Sequence, residues 1–197
     1  MLILASASPR RRELLQFLGM DFQVLPSAYD EVVPARHGDP EALACQLARE
    51  KARDVARHHS GALVLGADTL VVLGDRVFGK PADREDAERM LLALSGRTHR
   101  VVTGVALVER DTERTFAVST EVRFRRLHPV EVKAYVATGE PADKAGAYAI
   151  QGHGAFLIEE IRGDYTNVVG LPLTRLAMEL RQLGRTVFGL GALEATP

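Results

Sequence analysis

The sequence predicts a single α/β domain. Short apolar runs of strand character alternate along the chain with segments that carry helix-start signals and helically spaced apolar residues. No linker, internal repeat or low-complexity stretch interrupts them, and 197 residues are enough for one substantial core. Residues 1–5 read as the first strand. Ser8 is then a natural N-cap, Pro9 suits the first helical position, and Gly19 suits the stop. Residues 22–25 form a short strand closed by Pro26, and 26–38 a polar loop holding Asp30 and Glu31. Asp39-Pro40-Glu41 opens a long helix reaching His58 or His59, with Leu43, Leu47, Ala48 and Val55 on one face.

A buried strand follows over 62–67 and resumes at 70–73, so Asp68 is expected at a strand end or at a break. Gly74-Asp75 turns the chain into a short strand at 76–78. Asp83 caps a helix to Leu94, two long strands occupy 101–108 and 114–124, and His128-Pro129 opens a helix ending near Gly139. Residues 140–155 are glycine-rich and irregular, Phe156 to Ile158 and Ile161 mark a strand, and Leu171-Pro172 opens a last helix to about Leu183. The domain is placed at 1–185 and a weakly ordered tail at 186–197.

A net charge of −1 provides no broad field for nucleic acid or a membrane surface, so any basic function must be local. Cys45 is the sole cysteine, which excludes disulfide scaffolds and thiolate metal sites. No signal segment and no membrane-length apolar run is visible, and a cytoplasmic location is expected. Of 25 basic residues only Lys51, Lys80, Lys133 and Lys144 are lysines. Three of these four fall beside the chemistry-bearing segments, where a compact point charge differs from arginine's planar fork.

Arg10-Arg11-Arg12 occupy the first turn of the first helix, where the dipole favours anions. Cations there make sense if a polyanion binds, because a strand–loop–helix start is a ready phosphate cradle. Asp68, after a buried apolar run, borders the expected ligand crevice, where carboxylates hold metals or act as general bases. Glu31, with Asp30 as the alternative, and Glu50-Lys51 read in isolation as solvated charge. Gly79-Lys80-Pro81 combines close backbone approach with a phosphate-reaching cation. Between Asp143 and Gly152, small residues flank Tyr148 and Gln151, and Gln151 has the donor and acceptor to read a uracil or thymine edge. The six histidines show no paired metal-ligand spacing, and neither a Walker loop nor a GxSxG turn is present.

In order and spacing these segments resemble the Maf family of nucleoside triphosphate pyrophosphatases. The resemblance rests on residues 4–11, 66–69, 79–81, 94–99, 143–152 and 167–173, and spans residue 2 to about 183. It implies a twisted mixed sheet flanked by helices, with two lobes around a deep cleft, similar to the inosine triphosphate pyrophosphatases. It also implies cleavage of the α–β bond of a nucleoside triphosphate with a divalent cation, and oxygen ligands without cysteine favour Mg²⁺ or Mn²⁺ over zinc. On that basis Asp68 is the general base or metal-linked acid, and Glu31 a second acidic position. Ser8, Arg10, Arg11, Lys51 and Lys80 match phosphate-handling positions, and Lys144 belongs to the substrate-binding patch. Arg10, Thr69 and Gln151 match the branch that hydrolyses dTTP and UTP, rather than the 7-methyl-GTP branch. The family is linked to nucleotide house-cleaning and to septation arrest, which leaves a non-catalytic nucleotide sensor as a rival reading, and it suggests a homodimer.

Overall fold

The computed structural model describes residues 1–30, 38–110 and 112–190. Seven strands form one mixed sheet: β1 (Leu2–Leu4), β2 (Phe22–Val24), β3 (Leu63–Leu73), β4 (Arg76–Phe78), β5 (Thr98–Glu109), β6 (Thr112–Phe124) and β7 (Ile158–Arg162). Their order is β2-β1-β3-β5-β6-β7, with β4 paired to β3. β1 is parallel to both of its neighbours, and the other pairings are antiparallel.

Among the described residues six α-helices flank the sheet: α1 (Pro9–Gln16), α2 (Pro40–Ala56), α3 (Arg84–Leu94), α4 (Pro129–Ala137), α5 (Tyr165–Val169) and α6 (Leu173–Gln182). The capping signals act as expected. Ser8 Oγ accepts from the Arg11 N–H, Asp39 from Glu41 and Ala42, and Asp83 from Asp86. α5 was not anticipated; Asp164 caps it, and at five residues it is too short to leave a periodic signal. The last strand begins at Ile158, since Phe156 and Leu157 belong to a 3₁₀ turn.

One face of the sheet carries two separate cores. Leu15, Leu65, Leu107, Leu176 and Leu180 pack beneath α1 and α6, whereas Phe78, Leu91, Val122, Phe124 and Tyr135 pack beneath α3 and α4. The opposite face belongs to α2, whose alanines 48 and 52 meet Val64 and Ala106. Val187, beyond the last helix, is buried in the first core, while residues 191–197 of the expected tail lie outside the described residues. No helix among the described residues is long and apolar enough to cross a membrane.

Sheet pairing itself makes the cleft between the two cores. β1 stops against Leu65 and β4 ends against Val71, so the edge of β3 between them has no strand neighbour on that side among the described residues. The loop from β1 into α1 enters this gap.

Candidate active site

Asp68 lies in that gap, but inside a continuous strand rather than at an end or a break. β5 pairs with β3 without interruption from Val64 to Val72, and Gly104 stands opposite Asp68. The strand end bordering the crevice is that of β1, which β3 overruns. Alternation along β3 points Gly66, Asp68 and Leu70 towards α2, and Thr69 towards the other face.

Two glycines set how closely α2 approaches. A Cβ on Gly66 would lie 2.2 Å from the Ala48 carbonyl oxygen, and one on Gly104 2.2 Å from the Ala44 carbonyl carbon. Alanines 44, 48 and 52, one turn apart, complete this close contact. The next residue round the helix brings Lys51 Nζ to 2.6 Å from Asp68 Oδ1, with side chains 13% and 6% exposed. A turn further on, Asp54 accepts from the Ser27 hydroxyl and the Ala28 N–H, both at 2.8 Å. These bonds hold its carboxyl below the ordinary range, the Ser27 hydroxyl contributing most. They also fix the segment leading to Asp30, which lines the cleft. Glu31 lies outside the described residues.

Thr69 looks into a polar network built of neutral acceptors around one guanidinium. Arg11 donates to Gly170 O at 2.9 Å, to Ser6 Oγ at 3.2 Å and to Thr69 Oγ1 at 3.0 Å. Thr69 and Thr103 share a 3.0 Å hydroxyl bond, and Thr103 donates to Asn167 O. The Asn167 amide in turn donates to Val101 O and Thr120 Oγ1. Arg11 therefore sits at the cleft wall with its fork engaged by three protein acceptors, tying β1, β3 and α5 together. Arg12, third of the arginine run, is exposed and lies outside the cleft wall.

The cleft holds about 900 Å³. Among the described residues, cations Arg10, Arg11, Lys51, Arg76, Lys80 and Lys144 line it against the carboxylates Asp30, Asp68 and Asp143, a positive surplus on a chain of net charge −1. Lys144 is paired with Asp143, and Ser8, Thr69 and Gln151 complete the set of sequence candidates that the fold brings together. Arg76 was missed from sequence. It stacks 4.4 Å over the Phe78 ring at the cleft, but as one arginine opening a short strand it carried no distinguishing signal.

Tyr148, on the wall beside Gln151, is held from behind by His99, whose Nε2 lies 2.8 Å from its hydroxyl. Both groups are buried; burial pushes the Tyr148 phenol up and brings His99 down to about 4, so the pair is neutral.

Three-carboxylate or histidine cages are absent among the described residues. The donor set is instead a nearly buried carboxylate, Asp68, with Asp30 on the wall. That fits Mg²⁺ or Mn²⁺, since Mg²⁺ typically uses one or two carboxylates plus the phosphates of its substrate.

The family model for Maf-like protein matches residues 1–183. A dTTP/UTP pyrophosphatase of Moorella thermoacetica is 56% identical over 95% of this chain and 97% of its own. Another, from Symbiobacterium thermophilum, is 54% identical over 97% and 98%. Among solved structures, a nucleoside-triphosphatase (dITP/XTP pyrophosphatase) of Mycobacterium abscessus aligns with TM-score 0.47 and 19% identity, over 93% of this chain and 98% of that one. The chain belongs to the Maf family.

Proposed function

We propose that this chain hydrolyses dTTP and UTP to the monophosphate and pyrophosphate. The observation that carries the reading is the Asp68–Lys51 pair set in the sheet gap, within a cleft of surplus positive charge. The names of the relatives at 56% and 54% identity support it.

In this reading water attacks the α-phosphorus, the α–β anhydride P–O bond breaks, and pyrophosphate leaves. Asp68 takes the proton of the attacking water, and Lys51 holds the carboxylate in place from the α2 side. Arg10, Lys80 and Lys144, with Arg11 as a fixed charge on the wall, stabilise negative charge building up on the departing phosphates. The N–H groups at the start of α1, behind the Ser8 cap, favour the same anion. Asp68 and Glu31 are the residues that would hold a divalent cation, which when bound neutralises phosphate charge and polarises the phosphorus. Gln151 selects the base by pairing its amide with the uracil or thymine edge, and Tyr148 supplies an apolar wall. A free nucleotide substrate is consistent with the cytoplasmic location we propose.

Pyrophosphate release from dTTP, UTP, CTP, GTP, ATP, ITP and 7-methyl-GTP, with Mg²⁺ or Mn²⁺, tests the reading. Release mainly from dTTP and UTP is expected. Preference for 7-methyl-GTP would overturn the base assignment, and binding without release from any of them would favour a nucleotide sensor.

A further inference from the structure

The segment that presents Gln151 has no regular secondary structure to hold it. It runs between two 3₁₀ turns, Ala145–Ala147 and Gly152–Leu157, and belongs to no strand of the sheet. Besides the His99 contact to Tyr148, two side chains from outside the segment fasten its backbone and that of the turn after it. Tyr135, on α4 and 2% exposed, donates its hydroxyl to Glu140 Oε1 at 2.8 Å and accepts from the Ala149 N–H at 3.2 Å. Glu140 accepts from the His153 N–H on Oε2 and from the Gly154 N–H on Oε1, both at 2.9 Å. Backbone donors on either side of Gln151, at 149, 153 and 154, are thus all caught by one tyrosine–glutamate pair.

The backbone is shaped to meet the pair closely. Gly152 has φ +73°, and a Cβ there would lie 2.6 Å from Glu140 Oε2. A Cβ on Gly154 would lie 2.2 Å from the Ala149 carbonyl oxygen and 2.6 Å from Tyr135 Oη. An ionised carboxylate suits the position because it accepts all three donors, whereas an amide has one acceptor oxygen and would turn N–H groups towards N–H groups. Burial alone would raise the Glu140 carboxyl, but the Gly154 N–H, the Tyr135 hydroxyl and the His153 N–H outweigh it and hold it below the ordinary range.

We propose that Glu140 and Tyr135 are positioning residues for base selection, fixing the segment that carries Gln151 without touching the nucleotide. This rests on the pyrimidine reading of Gln151 given above.

The test compares E140Q and Y135F with Q151A, using UTP and CTP as substrates and amide hydrogen exchange as a readout that needs no catalysis. Exchange should quicken at His153 and Gly154 in E140Q, and at Ala149 in Y135F. KM for UTP should rise about tenfold in E140Q with kcat nearly kept, the scale of one or two lost hydrogen bonds. The preference for UTP over CTP should shrink towards that of Q151A, and adding Q151A to E140Q should cost little more. If E140Q does not fold, Y135F, which removes one oxygen, decides. Quickened exchange with unchanged UTP preference, while Q151A lowers it, would overturn the positioning role and leave the base reading standing. Unchanged preference in Q151A would overturn the base reading and the inference with it.

Discussion

Two regions of the cleft are built by different means. Around Asp68, the functional groups sit on a long strand and a long helix, locked by backbone contacts at Gly66 and Gly104 that leave no room for a methyl group. Around Gln151, they sit on an irregular segment whose backbone is held by side chains of two residues, Tyr135 and Glu140. Phosphate chemistry is the same for every nucleoside triphosphate, so it gains from rigid elements that never need to change. Base selection differs between substrates, and a loop on a rigid scaffold can vary without disturbing the sheet. The difference suggests that reaction and specificity are separately mutable here.

Two substitutions bear directly on that separation. Asp68→Asn should have the largest effect, lowering kcat roughly 100-fold or more while leaving the ratio of UTP to CTP use unchanged. Near-normal kcat in that variant would remove Asp68 from the role of base. Gly104→Ala should come next, because its new methyl group meets the α2 backbone and must push the helix, and Lys51 with it, away from Asp68. A cost of about 1–3 kcal/mol in denaturant unfolding is expected, with a fall in kcat and again no change in base preference. Altered preference would show that the two regions are coupled.

The smallest effect at neutral pH belongs to His99. Its folded-state value of about 4 lies below the ordinary 6.5, so between those values the unfolded chain binds a proton that the native one refuses. This contribution is fully present above pH 6.5, falls as the pH drops, and is lost by about pH 4, to the extent of roughly 3 kcal/mol. His99→Gln keeps a polar group near Tyr148 but does not titrate. Urea midpoints at pH 7 and 4.5 should therefore differ less in the variant than in the parent chain, and an equal acid slope would contradict the buried neutral histidine.

Much of this was legible in the sequence because local signals and global fold agree. Ser8-Pro9, Asp39-Pro40, Asp83 and His128-Pro129 begin helices by capping chemistry that needs only neighbours in the chain. The strand around Asp68 was misread for the opposite reason. A charged residue between two apolar runs looks like an interruption, and only the glycine facing it on β5 and the lysine arriving from α2 let it stay within the ladder. Both partners are far away in sequence. The engagement of Arg11 by Ser6, Thr69 and Gly170, and the capture of the Gln151 segment by Glu140, likewise depend on contacts that no spacing rule encodes.

Hydrolysis of UTP in ¹⁸O-labelled water shows whether the cleft directs water to the α-phosphorus of a pyrimidine nucleoside triphosphate. The products are read by ³¹P NMR and mass spectrometry. Pyrophosphate is expected as the second product, with the label in UMP alone. Label in pyrophosphate, or orthophosphate and UDP as products, would contradict it.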